Sequence, residues 1–163
     1  MKRIPLAYKS VDITTSSHAL EPNGGNLTIL LSELFLVTRG KLILFEPSYE
    51  TISDEGKARM DKLGYIKGMH EVVRSLGGRV VEFKRMPTIA NSLNPTACFI
   101  IDPPIINETK HVLNADIFML PGTSLLLEKH EGFFVSKESG LAFPVLKSIP
   151  VLKTDNAVLA TAL

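Results

Sequence analysis

Apolar positions along the chain fall into short runs and helical spacings that alternate. Val11 to Thr14 forms a brief strand-like run that leads into a cluster of small hydroxyl residues, Thr14, Thr15, Ser16 and Ser17, with His18 next. The turn Pro22-Asn23-Gly24-Gly25 breaks the chain. Leu27, Leu30, Leu31 and Leu34 then share one face of a 3.6-period helix, with Gly40 at the expected C-cap position. Leu42-Ile43-Leu44-Phe45 is continuously apolar, the pattern of a parallel strand covered on both faces, and it stops at Glu46-Pro47. Together these stretches predict a strand–helix–strand crossover, with polar residues at the carboxyl ends of both strands, where open α/β sheets place ligands.

The pattern continues with a polar helix that Ser53 caps and Asp54 and Glu55 open, with Met60 and Leu63 inward and Gly64 at its end. A second helix over 66–76 places Met69, Val72, Val73 and Leu76 on one side and stops at Gly77-Gly78. Arg79 to Phe83 reads as a strand, MPTIANSLNP as a loop, and Ala97 to Ile101 as a buried strand ended by Asp102-Pro103-Pro104. Beyond Pro104 the periods shorten and turns multiply. That change predicts a small β-rich module with a helical tail that Thr154 caps. The expected division is therefore 1–104 and 105–163, with residues 1–10 a polar approach to the first strand.

Composition narrows the class. The chain has 163 residues, 45% of them hydrophobic and 21% charged, which is globular rather than disordered. A net charge of +1 without a basic block gives no nucleic-acid footprint. No apolar run approaches the roughly 20 residues of a spanning helix, so no membrane partner is expected. The single cysteine, Cys98, and the lack of a secretory pattern at the start make the cytoplasm the expected compartment. No glycine-rich phosphate or dinucleotide motif occurs, and Gly24-Gly25 and Gly77-Gly78 read as turns. Cys98 reads as a packed thiol, and His70, His111 and His130 as surface residues without ligand partners. Gly122-Thr123-Ser124 does not complete a nucleophile elbow.

The segment Ser17-His18-Ala19-Leu20-Glu21, the pair Glu46-Pro47 and the run EGKARMDKLGYIKG resemble the carboxyl-terminal half of a class I S-adenosylmethionine-dependent methyltransferase of the type-11 group. In that resemblance Ser17 to Glu21 follows the family's fourth strand and Glu46-Pro47 ends its fifth. Arg79–Phe83 and Ala97–Asp102 match its last, antiparallel pair. The implied fold is α/β, a partial doubly wound Rossmann-like sheet with an antiparallel last strand pair and a small β-rich module behind it. The tail, Gly140 to Val145 and Ile149 to Leu152, resembles small zinc-ribbon-like methyltransferase activators. The cysteine position before Pro121 is Leu120, so no metal is expected there. Asp102-Pro103-Pro104-Ile105 resembles the signature of base-amino methyltransferases, but an isoleucine stands at its aromatic position, and it falls after the wrong strand.

The resemblance implies S-adenosylmethionine as cofactor, with Thr14, Thr15 and Ser16 as cofactor contacts and Glu46, Tyr49 and His18 as candidate catalytic groups. For the hydroxyls the residue-level alternative is the capping of turns at a strand end, for His18 a half-exposed histidine, and for Glu46 an N-cap or structural role. The family's glycine-rich loop and ribose-binding acid have no counterpart, so the sheet is expected to begin in its own middle and expose a long apolar edge. That edge implies a homodimer or a partner chain that completes the site. The alternatives are a non-catalytic regulatory subunit that docks on a catalytic methyltransferase, or a truncated reading frame.

Overall fold

A computed structural model describes residues 3–87, 91–105 and 117–160. The chain divides into two compact units, Val11–Asn107 and the combination of Met1–Ser10 with Glu108–Leu163. The opening segment therefore belongs with the carboxyl-terminal module. Leu6 bridges Phe118, and the Ala7 amide donates to the Ile117 carbonyl at 2.7 Å.

The first unit is a four-stranded mixed sheet. Its strands are β1 (Val11–Ser17), β2 (Thr38–Pro47), β3 (Arg79–Arg85) and β4 (Thr96–Asp102), in the order β1-β2-β4-β3. β1 and β2 are parallel, joined through helix α1 (Leu27–Val37). β4 runs antiparallel to both of its neighbours. Helices α2 (Asp54–Leu63) and α3 (Met69–Ser75) fill the connection from β2 to β3. Ser53 caps α2 by accepting from the Gly56 amide, and Gly64 closes it in the left-handed conformation, as the sequence pattern predicts.

Gly40 is not a helix cap. α1 ends three residues earlier, where Thr38 turns extended and its hydroxyl donates to the Leu34 carbonyl at 2.6 Å. Gly40 instead lies inside β2, where an added Cβ would stand 2.4 Å from the Asp12 carbonyl. Its role is close approach to the irregular start of β1, where the register shifts between Val11 and Ile13.

The expectation that the β2 and β4 runs are covered on both faces is also corrected. Leu42, Leu44, Ala97, Phe99 and Ile101 pack with Leu27, Leu31 and Phe35 of α1 and Met69 and Val73 of α3 in one core. The alternate positions Ile43, Phe45, Cys98 and Ile100 are only half-buried. A reversed strand beside β2 needs no crossover helix over the second face, so burial alternates as in an antiparallel sheet.

The second unit is an antiparallel sheet of β5 (Glu128–His130), β6 (Phe133–Ser136), β7 (Leu141–Leu146) and β8 (Ile149–Pro150), with β9 (Val158–Leu159) pairing β7. Its core holds Leu120, Leu127, Phe134 and Phe143. Leu120, the position matched to a cysteine by resemblance, is thus packed in hydrocarbon. The expected helical tail is instead a single 3₁₀ turn at Thr154–Asn156, with no side-chain cap. It ends because Val158 and Leu159 pair with Ala142 and Leu141.

A braced loop at the strand tips

The carboxyl ends of β1 and β2 and the start of β4 meet, since Ser17 pairs with Phe45 and Pro47 with Thr96. Glu46 lies there, fully buried. Its carboxylate accepts from the Ser16 hydroxyl at 2.7 Å, the Leu20 amide at 3.2 Å and the Glu21 amide at 3.1 Å. All three partners donate, the arrangement an acceptor-only carboxylate satisfies. Glu46 therefore holds the loop that follows β1 against β2.

His18 makes the turn out of β1 in the left-handed region, φ 51°, with its amide donating to the Phe45 carbonyl at 2.9 Å. Its ring is paired on both nitrogens, Nδ1 with the Glu21 carboxylate and Nε2 with the Thr96 hydroxyl at 2.8 Å. Glu21 also receives the Tyr65 hydroxyl, a bond that holds the phenol above its usual pKa, and the Arg59 guanidinium lies 5.8 Å from that ring. Among the described residues, Arg59 Nη1 is a buried donor that meets no acceptor. The loop docks further along its length, because the Ile66 amide donates to the Glu21 carbonyl at 3.0 Å and the Gly24 amide to the Gly64 carbonyl at 2.9 Å. A Cβ on Gly24 would stand 2.5 Å from the Tyr65 carbonyl, so this seat requires glycine.

The structure thus brings Ser16, His18 and Glu46 together. Tyr49 is engaged elsewhere: its hydroxyl donates to Asp61 at 3.0 Å, and Lys67 bonds the same carboxylate at 2.8 Å. The bond to Asp61 pushes the Tyr49 phenol above its ordinary value and opposes its use as a base. Thr14 shares a 2.6 Å bond with Thr38, while Thr15 is exposed. Of the three hydroxyls assigned to the cofactor, Thr14 and Ser16 are therefore bonded within the chain, and Thr15 is exposed.

The other candidates resolve locally. Asp102 binds Lys41 and Arg79, and these bonds lower its pKa, Lys41 foremost. Burial raises the Cys98 thiol, contrary to a nucleophile's needs. His70 is not a surface residue. It is half-buried, with its ring edge-on to Phe83 at 5.3 Å and Phe99 at 5.7 Å, because α3 lays it over the β3–β4 pair. His111 lies outside the described residues. Among the described residues, no group of three or more His, Cys, Asp or Glu side chains could hold a metal ion. Nor is any helix among them long and apolar enough to cross a membrane.

Sequence reasoning did not assign roles to Thr96, Tyr65 and Arg59, whose positions carry no local signal. Glu21, three residues after His18, did carry one. Comparison with protein-family models and with curated proteins finds no match for the chain.

Proposed function

We propose that the chain is an S-adenosylmethionine-dependent methyltransferase-like protein whose sheet supplies one wall of the reaction pocket, while a second chain pairing along β1 supplies the half that grips the cofactor. The observation that carries this reading is the contrast between the two edges of the sheet. Among the described residues β1 pairs only with β2, and its stretch Ile13–Ser17 has no charged residue. β3, at the other edge, carries Arg79, Glu82, Lys84 and Arg85, charges of the kind that blunt an edge. The β1 edge is not the apolar one expected. It is built of small hydroxyl residues, with Ile13 the large exposed apolar side chain at 57%.

In this reading Glu46 is a positioning residue that fixes the loop from His18 to Gly25. Methyl transfer from a sulfonium needs in-line approach and a water-poor pocket more than it needs a base. Titration of S-adenosylmethionine into the chain alone, and into the chain co-purified with its neighbouring gene product, tests the reading. Binding heat is expected only with the partner; no heat and no thermal shift in either case ends it.

A second reading, a non-catalytic subunit docking on a catalytic methyltransferase, is favoured by the internal bonding of Glu46, His18 and Tyr49. Affinity purification should then recover a partner with methyltransferase activity of its own, and a clean monomer argues against it.

A further inference from the structure

We propose that the carboxyl-terminal unit binds a nucleoside monophosphate, a flat ring carrying a phosphate, in the cavity between the β5–β6 turn and the β7–β8 hairpin. The cavity measures 460 Å³, within the roughly 300–1,000 Å³ of small-molecule sites. Phe118 and Phe134 form part of its lining, their rings edge-to-face at 4.9 Å, with Val145 beside them. Phe134 belongs mostly to the core, so the half-buried Phe118 ring is the aromatic surface offered to a planar heterocycle. The polar lining comes from Lys129, His130 and Ser148, and among the described residues no acidic side chain lines the cavity. Glu128, the acid next to Lys129, is bonded to Lys137 at 2.8 Å and stands 3.9 Å from His130. Among the described residues, Lys129 and Lys147 have no ion-pair partner.

The hairpin supplies an independent observation. Its two-residue turn, Lys147-Ser148, has both residues left-handed, at φ 48° and 67°. Asn-Gly is the inexpensive choice for such a turn, and non-glycine residues held there are strained, a feature that gathers at ligand clamps. Here the strained turn places the Ser148 hydroxyl in the cavity lining. Lys129 and His130 in the lining, with the Ser148 hydroxyl, suit a phosphate. S-adenosylmethionine has no phosphate and gains nothing from them, so binding here does not depend on the methyltransferase reading.

Equilibrium dialysis of the full chain against AMP, adenosine, inorganic phosphate and a short oligoadenylate tests the proposal. AMP should bind saturably, with adenosine and phosphate each at least about tenfold weaker. Lys129→Gln, at an exposed position, should weaken AMP about tenfold and leave adenosine unchanged. Lys147→Asn with Ser148→Gly should raise Tm while weakening AMP. Oligoadenylate binding more tightly than AMP, with a steep salt dependence, would identify the ligand as a nucleotide within single-stranded RNA; equal affinity identifies the free nucleotide. No saturation by AMP, or AMP affinity unchanged by Lys129→Gln, overturns the proposal.

Discussion

Replacing Glu46 with glutamine changes the strand-tip brace by one atom and tests what that brace contributes. The carboxylate accepts three hydrogen bonds, two of them from the backbone amides of Leu20 and Glu21. A glutamine oxygen can keep the Ser16 and Leu20 bonds, but its amide nitrogen then faces the Glu21 N–H, donor against donor. An orphaned buried donor costs about 1–3 kcal/mol, and two charge-assisted bonds fall to neutral strength. Relief from burying a charge offsets part of this. The net expectation is a loss of about 2–3 kcal/mol, against about 1 kcal/mol for Ser16→Ala, which leaves both backbone donors satisfied. For a unit of this size the Tm should fall by on the order of 10 °C. Denaturation of both variants, with hydrogen exchange at the Leu20 and Glu21 amides, gives the measurement. A Glu46→Gln protein within about 0.5 kcal/mol of the wild type, or less affected than Ser16→Ala, would refute the brace.

Other consequences follow from the same geometry. Gly24→Ala should destabilise by about 2 kcal/mol through contact with the Tyr65 carbonyl. Gly25→Ala, whose Cβ would meet nothing within 4 Å, should stay within about 0.5 kcal/mol; equal effects in denaturant titrations contradict the docked loop. Relieving the Lys147-Ser148 turn with Asn-Gly should stabilise the second unit by about 1–2 kcal/mol in calorimetry, and no gain would mean the turn holds no strain. The Asp102 carboxyl is lowered by Lys41 and Arg79, so its contribution is present above the ordinary aspartate range and lost as pH falls through its depressed folded value. Asp102→Asn should therefore destabilise at pH 7 and converge with the wild type in strong acid; a pH-independent gap argues against the ion pairs. Cys98, raised by burial, should react with a disulfide reagent more slowly at pH 7.5 than a free thiol does, and equal rates would contradict its burial.

Much of the first unit was legible because its signals are local. Ser53 and Gly64 bound α2 through a side-chain oxygen and a left-handed glycine, chemistry that needs only neighbouring residues. The spacing of Leu27, Leu30 and Leu31 set the inner face of α1, and a continuous apolar run set the core of β2. Gly40 misled because a glycine serves equally at a helix end and at a close strand approach; the Asp12 carbonyl above it decides. The tail misled because Thr154 is a good cap residue, while pairing along β7 outweighs a marginal helix.

The sequence alone determined which residues lie at the strand ends: Ser16 near the end of β1, His18 just beyond it, and Glu46 near the end of β2. Tertiary structure decided what those residues do. It joins Glu46 to the Leu20 and Glu21 amides, His18 to Thr96, and Tyr49 to Asp61. Among the described residues it also leaves β1 with a single neighbour while β3's edge is charged. The physical reason is range. Caps, turns and periodicity are set by contacts a few residues apart, whereas a hydrogen bond between Ser16 and Glu46 depends on a register that only the folded sheet fixes.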